Sequence, residues 1–74
     1  MPLSQIAIGQ SVTIVRVEGE SSFRRRLLEL GLLPGTTVQL LRVAPLGDPL
    51  ELLSRDAHLS IRAREAEHIF VEAS

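Results

Sequence analysis

The sequence predicts a mostly β fold, a small and strongly curled barrel of about five strands with one helix after the first long strand. Three observations carry this reading. Two β-branched segments, "SVTIVRV" and "VQLLRV", each switch the parity of their apolar residues part-way along, as a bulged or sharply coiled strand does. Between them, Phe23, Leu27 and Leu30 recur at helical spacing. With 74 residues, 45% of them hydrophobic and most of those Leu, Ile, Val or Ala, the chain has aliphatic side chains enough for one core and length for one domain, residues 1–74.

The first strand spans Ser11 to Val17, between Gly9 and the breaker cluster "EGESS". Val12 and Ile14 lie on one parity, Val15 and Val17 on the other. The helix follows in "SSFRRRLLELG", with Leu28 widening its apolar stripe and Ser21 or Ser22 placed to accept a bond from a free first-turn amide. Gly31 suits the left-handed position after the last turn, with Leu32 folding back on Leu27 in a Schellman arrangement. Pro34 and Gly35 then fill the central positions of a type II turn, which want a fixed negative φ and a positive φ in that order.

The second strand, Val38 to Val43, repeats the parity switch: Val38 and Leu40, then Leu41 and Val43. Such switching in two strands favours a curled barrel over a flat sheet. "APLGDPL" reads as a hairpin loop before the strand "LELLS", and "RDA" as a tighter turn. "HLSIRA" alternates with Leu59 and Ile61 inward, "REAE" fits one helical turn, and "HIFVEA" closes the fold through Ile69 and Val71.

Composition narrows function. Cysteine is absent, which removes disulfides, thiolate metal sites and a cysteine nucleophile. Eight basic residues, all arginine, face nine acidic ones for a net charge of −1, and Trp and Tyr are missing. That balance argues against nucleic-acid binding and base stacking. No basic leader segment or apolar run of membrane-spanning length occurs, so a cytoplasmic protein not itself inserted in a membrane is expected.

Three clusters carry candidate chemistry. Arg24, Arg25 and Arg26 can grip carboxylate or phosphate through their guanidinium forks, although they also fit the solvated outer face of an amphipathic helix. Glu65 and His68 are ligand types that suit ferrous iron or zinc. A closed site wants about four such ligands, and His58 is the one other histidine, with no local pattern placing it nearby. Asp48 is a candidate loop acid whose short side chain also suits bonding to nearby amides before Pro49. No phosphate loop, Ser/His/Asp grouping or paired carboxylates appear, so no enzyme and no cofactor are expected.

The stretch "RRRLLELGLLPGTTVQLLRVAPLGDPLEL" resembles the central signature of the ferrous iron transport protein A (FeoA) family, at Arg26, Leu27, Leu30, Gly31, Pro34, Gly35, Ala44, Pro45, Gly47, Asp48 and Pro49. The similarity extends through "LSQIAIGQSVTIVRV" at one end and "HLSIRAREAEHIFVE" at the other, so that it covers essentially the whole chain. It implies an SH3-like barrel. It also implies an accessory or regulatory role in ferrous iron uptake, through contact with the FeoB transporter, whose cytoplasmic part is a GTPase. Domains of this kind also end iron- and manganese-dependent transcriptional regulators, another setting of protein contact.

The resemblance supplies no catalytic or metal residue to carry over. As partner-binding residues the sequence offers the exposed helix arginines Arg24 and Arg25 and the loop Pro45, Leu46, Gly47, Asp48 and Pro49. Gly31, Pro34 and Gly35 are structural. Competing readings are a nucleic-acid-binding barrel and a direct Fe(II) carrier that uses Glu65 and His68.

Overall fold

The computed structural model describes residues 1–74. Five antiparallel strands form one sheet: β1 (Ser11–Val17), β2 (Thr37–Val43), β3 (Leu50–Ser54), β4 (Ala57–Ile61) and β5 (Ile69–Ala73), in the spatial order β4-β3-β2-β1-β5. Helix α1 (Ser21–Glu29) follows β1, and the single turn α2 (Ala63–Ala66) joins β4 to β5. The outer strands β4 and β5 are not hydrogen-bonded to each other. Even so, Ile61 of β4 and Ile69 and Val71 of β5 share one buried cluster with Val12, Ile14, Val38, Leu40, Leu50 and Leu52. Only a sheet curled on itself lets its two edges meet in one core. No helix is long and apolar enough to cross a membrane.

Both parity switches are real bulges. The β1–β5 register slips between Ile14 and Arg16, and the β2–β3 register between Leu40 and Arg42. The extra residues are Val15 and Leu41, and beyond them Val17 and Val43 turn half-buried against the core. Each bulge bends and twists its strand, which supplies the curl. Val15 itself points out and is 43% exposed, because a bulged residue leaves the alternation, so its place on the inward parity is corrected.

The Gly31 reading holds in full. Leu32 N donates to Leu27 O at 2.9 Å and Gly31 N to Leu28 O at 3.0 Å, the two bonds of a Schellman end. Gly31 has φ +86°, and Leu27 and Leu32 are both buried. Thr36 N donates to Leu33 O at 3.0 Å around Pro34 and Gly35, with Gly35 at φ +94°. This turn is then fastened to β1, for Gly35 N donates to Ile14 O at 2.7 Å and Ile14 N to Thr36 O at 2.9 Å.

Other expectations for α1 are corrected. The helix starts at Ser21, but its N-cap is Glu20 and no side chain caps it, so neither Ser21 nor Ser22 plays that part. Leu28 is 59% exposed and Leu30 42%. Leu27 is the one fully buried side chain of α1, with Phe23 half-buried beside the core. Leu30 has already become the C-cap residue, so the Phe23–Leu27 spacing does not continue inward.

The segment before β1 forms a short 3₁₀ turn, Leu3–Gln5, which buries Leu3. Ahead of it, Met1 exchanges two bonds with Val71: the terminal amine donates to Val71 O at 3.0 Å and Val71 N to Met1 O at 2.8 Å. The free edge of β5 is therefore covered at that point, which blunts an edge open to pairing.

Because the burial of leucines in α1 is so uneven, truncating them separates core from surface. Leu27→Ala should cost about 2–5 kcal/mol in urea unfolding, and Leu28→Ala within about 0.5 kcal/mol of nothing. Equal losses at both positions would contradict this packing.

Candidate functional site

The helix α1 has two unlike sides. Arg26 turns toward α2, where its Nη2 pairs with Glu65 Oε2, and its guanidinium lies 5.8 Å from the centre of the Phe23 ring. Arg24 and Arg25 face the other way, exposed and paired with no carboxylate, whereas Arg16, Arg42 and Arg62 each pair with one. The arginine run therefore splits: one side chain is structural and two are free.

Arg24 and Arg25 rim a surface groove of about 390 Å³. Its apolar lining comes from Leu28 on α1, from Leu32, Leu33 and Pro34 in the segment after it, and from Val17 at the end of β1. The Schellman end makes this groove. By folding Leu32 back beneath the helix, it brings the 32–34 segment alongside Leu28 and leaves both Leu28 and Leu33 open to solvent, the latter at 36% exposure.

The metal-ligand types named from the sequence are not brought together. No three His, Cys, Asp or Glu side chains are grouped to hold an ion. Glu65 Oε1 accepts from Arg62 N at 3.0 Å while Oε2 serves Arg26, so both its oxygens are engaged in the fold. His68 is exposed, its ring edge-on to Phe23 at 6.1 Å between centroids. The groove beside α1 offers hydrocarbon and guanidinium.

The loop from Pro45 to Pro49 is tightly built. Gly47 N donates to Ala44 O at 2.7 Å and Ala44 N to Pro49 O at 3.0 Å. Leu46 stands at its tip, 97% exposed. Asp48 does not bond to amides beside it, as its sequence context suggests. Its Oδ1 accepts from Ala63 N at 2.9 Å, fifteen residues on, and Oδ2 lies 3.8 Å from Arg62 Nη1. The loop is thus tied to the first turn of α2, and none of its residues lines the groove. Chain spacing gives no hint of this bond, nor of the Leu28–Leu33 groove, since a helical pattern assigns every leucine of the stripe to the core.

Asp48→Ala should remove an amide acceptor worth about 1 kcal/mol at a helix start. The expected readout is a loss of that size in urea unfolding, together with faster hydrogen exchange at Ala63. Unchanged exchange at Ala63 would show that the bond does not persist in solution.

Known proteins match this chain along its length. The family model for the FeoA domain matches residues 1–73. A fusion of Fe(2+) transport protein A with the Fe(2+) transporter FeoB, from Porphyromonas gingivalis, is 42% identical over 72 residues, which are 97% of this chain and 8% of the fusion. The chain thus spans under a tenth of that relative. The solution structure of the FeoA protein from Chlorobium tepidum is 41% identical and superimposes with a TM-score of 0.93, covering 99% of this chain and 70% of that one. FeoA from Stenotrophomonas maltophilia, solved in complex with zinc and described as an SH3 domain protein, is 28% identical with a TM-score of 0.83, over 97% of this chain and 89% of that one. The fold is SH3-like, and the chain belongs to the FeoA domain family.

Proposed function

We propose that this protein is an accessory or regulatory component of ferrous iron uptake, working in the cytoplasm by docking on the GTPase-bearing cytoplasmic part of a FeoB-type transporter. The observation that carries the reading is the Porphyromonas gingivalis fusion, in which a sequence 42% identical to this chain shares one polypeptide with the transporter. Fusion keeps two partners at high effective concentration, a natural arrangement for modules that touch.

The surface is consistent with contact rather than chemistry. Arg24 and Arg25 are unpaired and lie beside an apolar groove, and Arg is a residue type enriched at interface centres. The loop Pro45–Pro49, with Leu46 exposed at its tip, is a second contact, outside the groove. Direct carriage of Fe(II) by Glu65 and His68 is less favoured because both Glu65 oxygens already hold the fold together. Binding of DNA or RNA is disfavoured by a net charge of −1 and by the lack of Trp and Tyr for stacking.

In a pull-down under reducing conditions, the immobilised chain should retain the soluble GTPase-bearing domain of the transporter, or the detergent-solubilised whole, and retention should weaken as salt rises. Absence of association with both forms would overturn the reading.

A further inference from the structure

We infer that the groove beside α1 receives an aliphatic side chain from an acidic, amphipathic segment of the protein partner, whose carboxylates meet Arg24 and Arg25. This deepens the docking reading above and rests on it.

The lining sets the first requirement. Leu28 and Leu33 present hydrocarbon to solvent at 59% and 36% exposure, over a floor closed by the buried Leu32. A phosphate or nucleotide would find polar partners at the rim alone, in Ser21, Arg24 and Arg25, and its remaining polar atoms would lose water against the hydrocarbon floor without replacement. An aliphatic side chain would gain by the same desolvation. At about 390 Å³, the groove lies toward the small end of ligand-pocket volumes, about 300–1,000 Å³, which suits one or two side chains better than a bulky cofactor.

The rim sets the second. Arg24 and Arg25 stand four and three residues before Leu28, the helical spacing of surface neighbours. Neither forms an ion pair, although the chain as a whole carries −1 and four of its six other arginines are paired. Charge complementarity therefore calls for a partner with carboxylates about one helical turn from its apolar anchor. A second copy of this chain fits poorly, because a two-fold contact through the groove brings the same arginines together.

The test is calorimetric titration of the transporter's GTPase-bearing cytoplasmic domain into the wild-type chain, Leu28→Asp and the double reversal Arg24→Glu with Arg25→Glu. Each variant should weaken binding about tenfold or more. The deficit of the charge reversal should shrink at high salt while that of Leu28→Asp persists. All three positions are exposed, so dispersed amide spectra should confirm folding. Leu28→Gln, with a smaller loss, replaces Leu28→Asp if the aspartate variant does not fold. Binding equal to wild type in every variant would overturn the groove assignment and leave the docking reading standing. No binding by the wild-type chain would overturn both. Self-association of the wild type that Leu28→Asp abolishes, without binding of the domain, would overturn the groove assignment in favour of a second copy.

Discussion

The bond from Leu32 N to Leu27 O organises the α1 side of the molecule. It closes the helix α1, requires a residue at φ +86° in Gly31, and buries Leu27 and Leu32 together. This ending holds residues 32–34 against the helix. Gly31 supplies the conformation at little steric cost, since a side chain there would meet open space but a strained backbone. Two leucines buried this way leave Leu28 and Leu33 outside, side by side and next to Arg24 and Arg25. The same few residues that terminate a helix therefore create the most apolar concavity of the surface.

A second constraint is polar and distributed. Arg26 pairs with Glu65, Glu65 bonds Arg62 N, and Asp48 bonds Ala63 N, so α1, α2 and the β2–β3 loop are linked one to the next. These contacts lie where the sheet does not close, between β4 and β5. Each is exposed or half-exposed and worth on the order of 1 kcal/mol or less by itself. Their shared effect is to orient α1 and to take Arg26, Glu65 and Asp48 out of the pool of groups free to bind a partner. Arg24 and Arg25 stay outside this network, as do Arg55, Arg64 and the apolar tip of Leu46.

The legible parts of the fold are those with local causes. Gly31, Pro34 and Gly35 impose backbone angles that neighbouring residues cannot override, and the bulges at Val15 and Leu41 show in the broken alternation of their own strands. The illegible parts depend on residues far apart in the chain. Arg26 reaches Glu65 across thirty-nine positions and Met1 reaches Val71 across seventy, and nothing in either neighbourhood announces the partner. The exposure of Leu28 escapes for a related reason, as periodicity reports that a residue is apolar and not whether the core still has room for it. The arginine pair is readable as a candidate from the sequence, whereas the groove beside it exists only once the turn is folded.

The most direct test is a two-dimensional NMR titration of the isotopically labelled chain with the transporter's GTPase-bearing cytoplasmic domain. The account predicts shifted or broadened amides centred on Val17, Arg24, Arg25, Leu28, Leu32 and Leu33, with the β4 edge unmoved. Perturbations centred on β4 or on the turn at Arg55 and Asp56, with those amides unchanged, would contradict it.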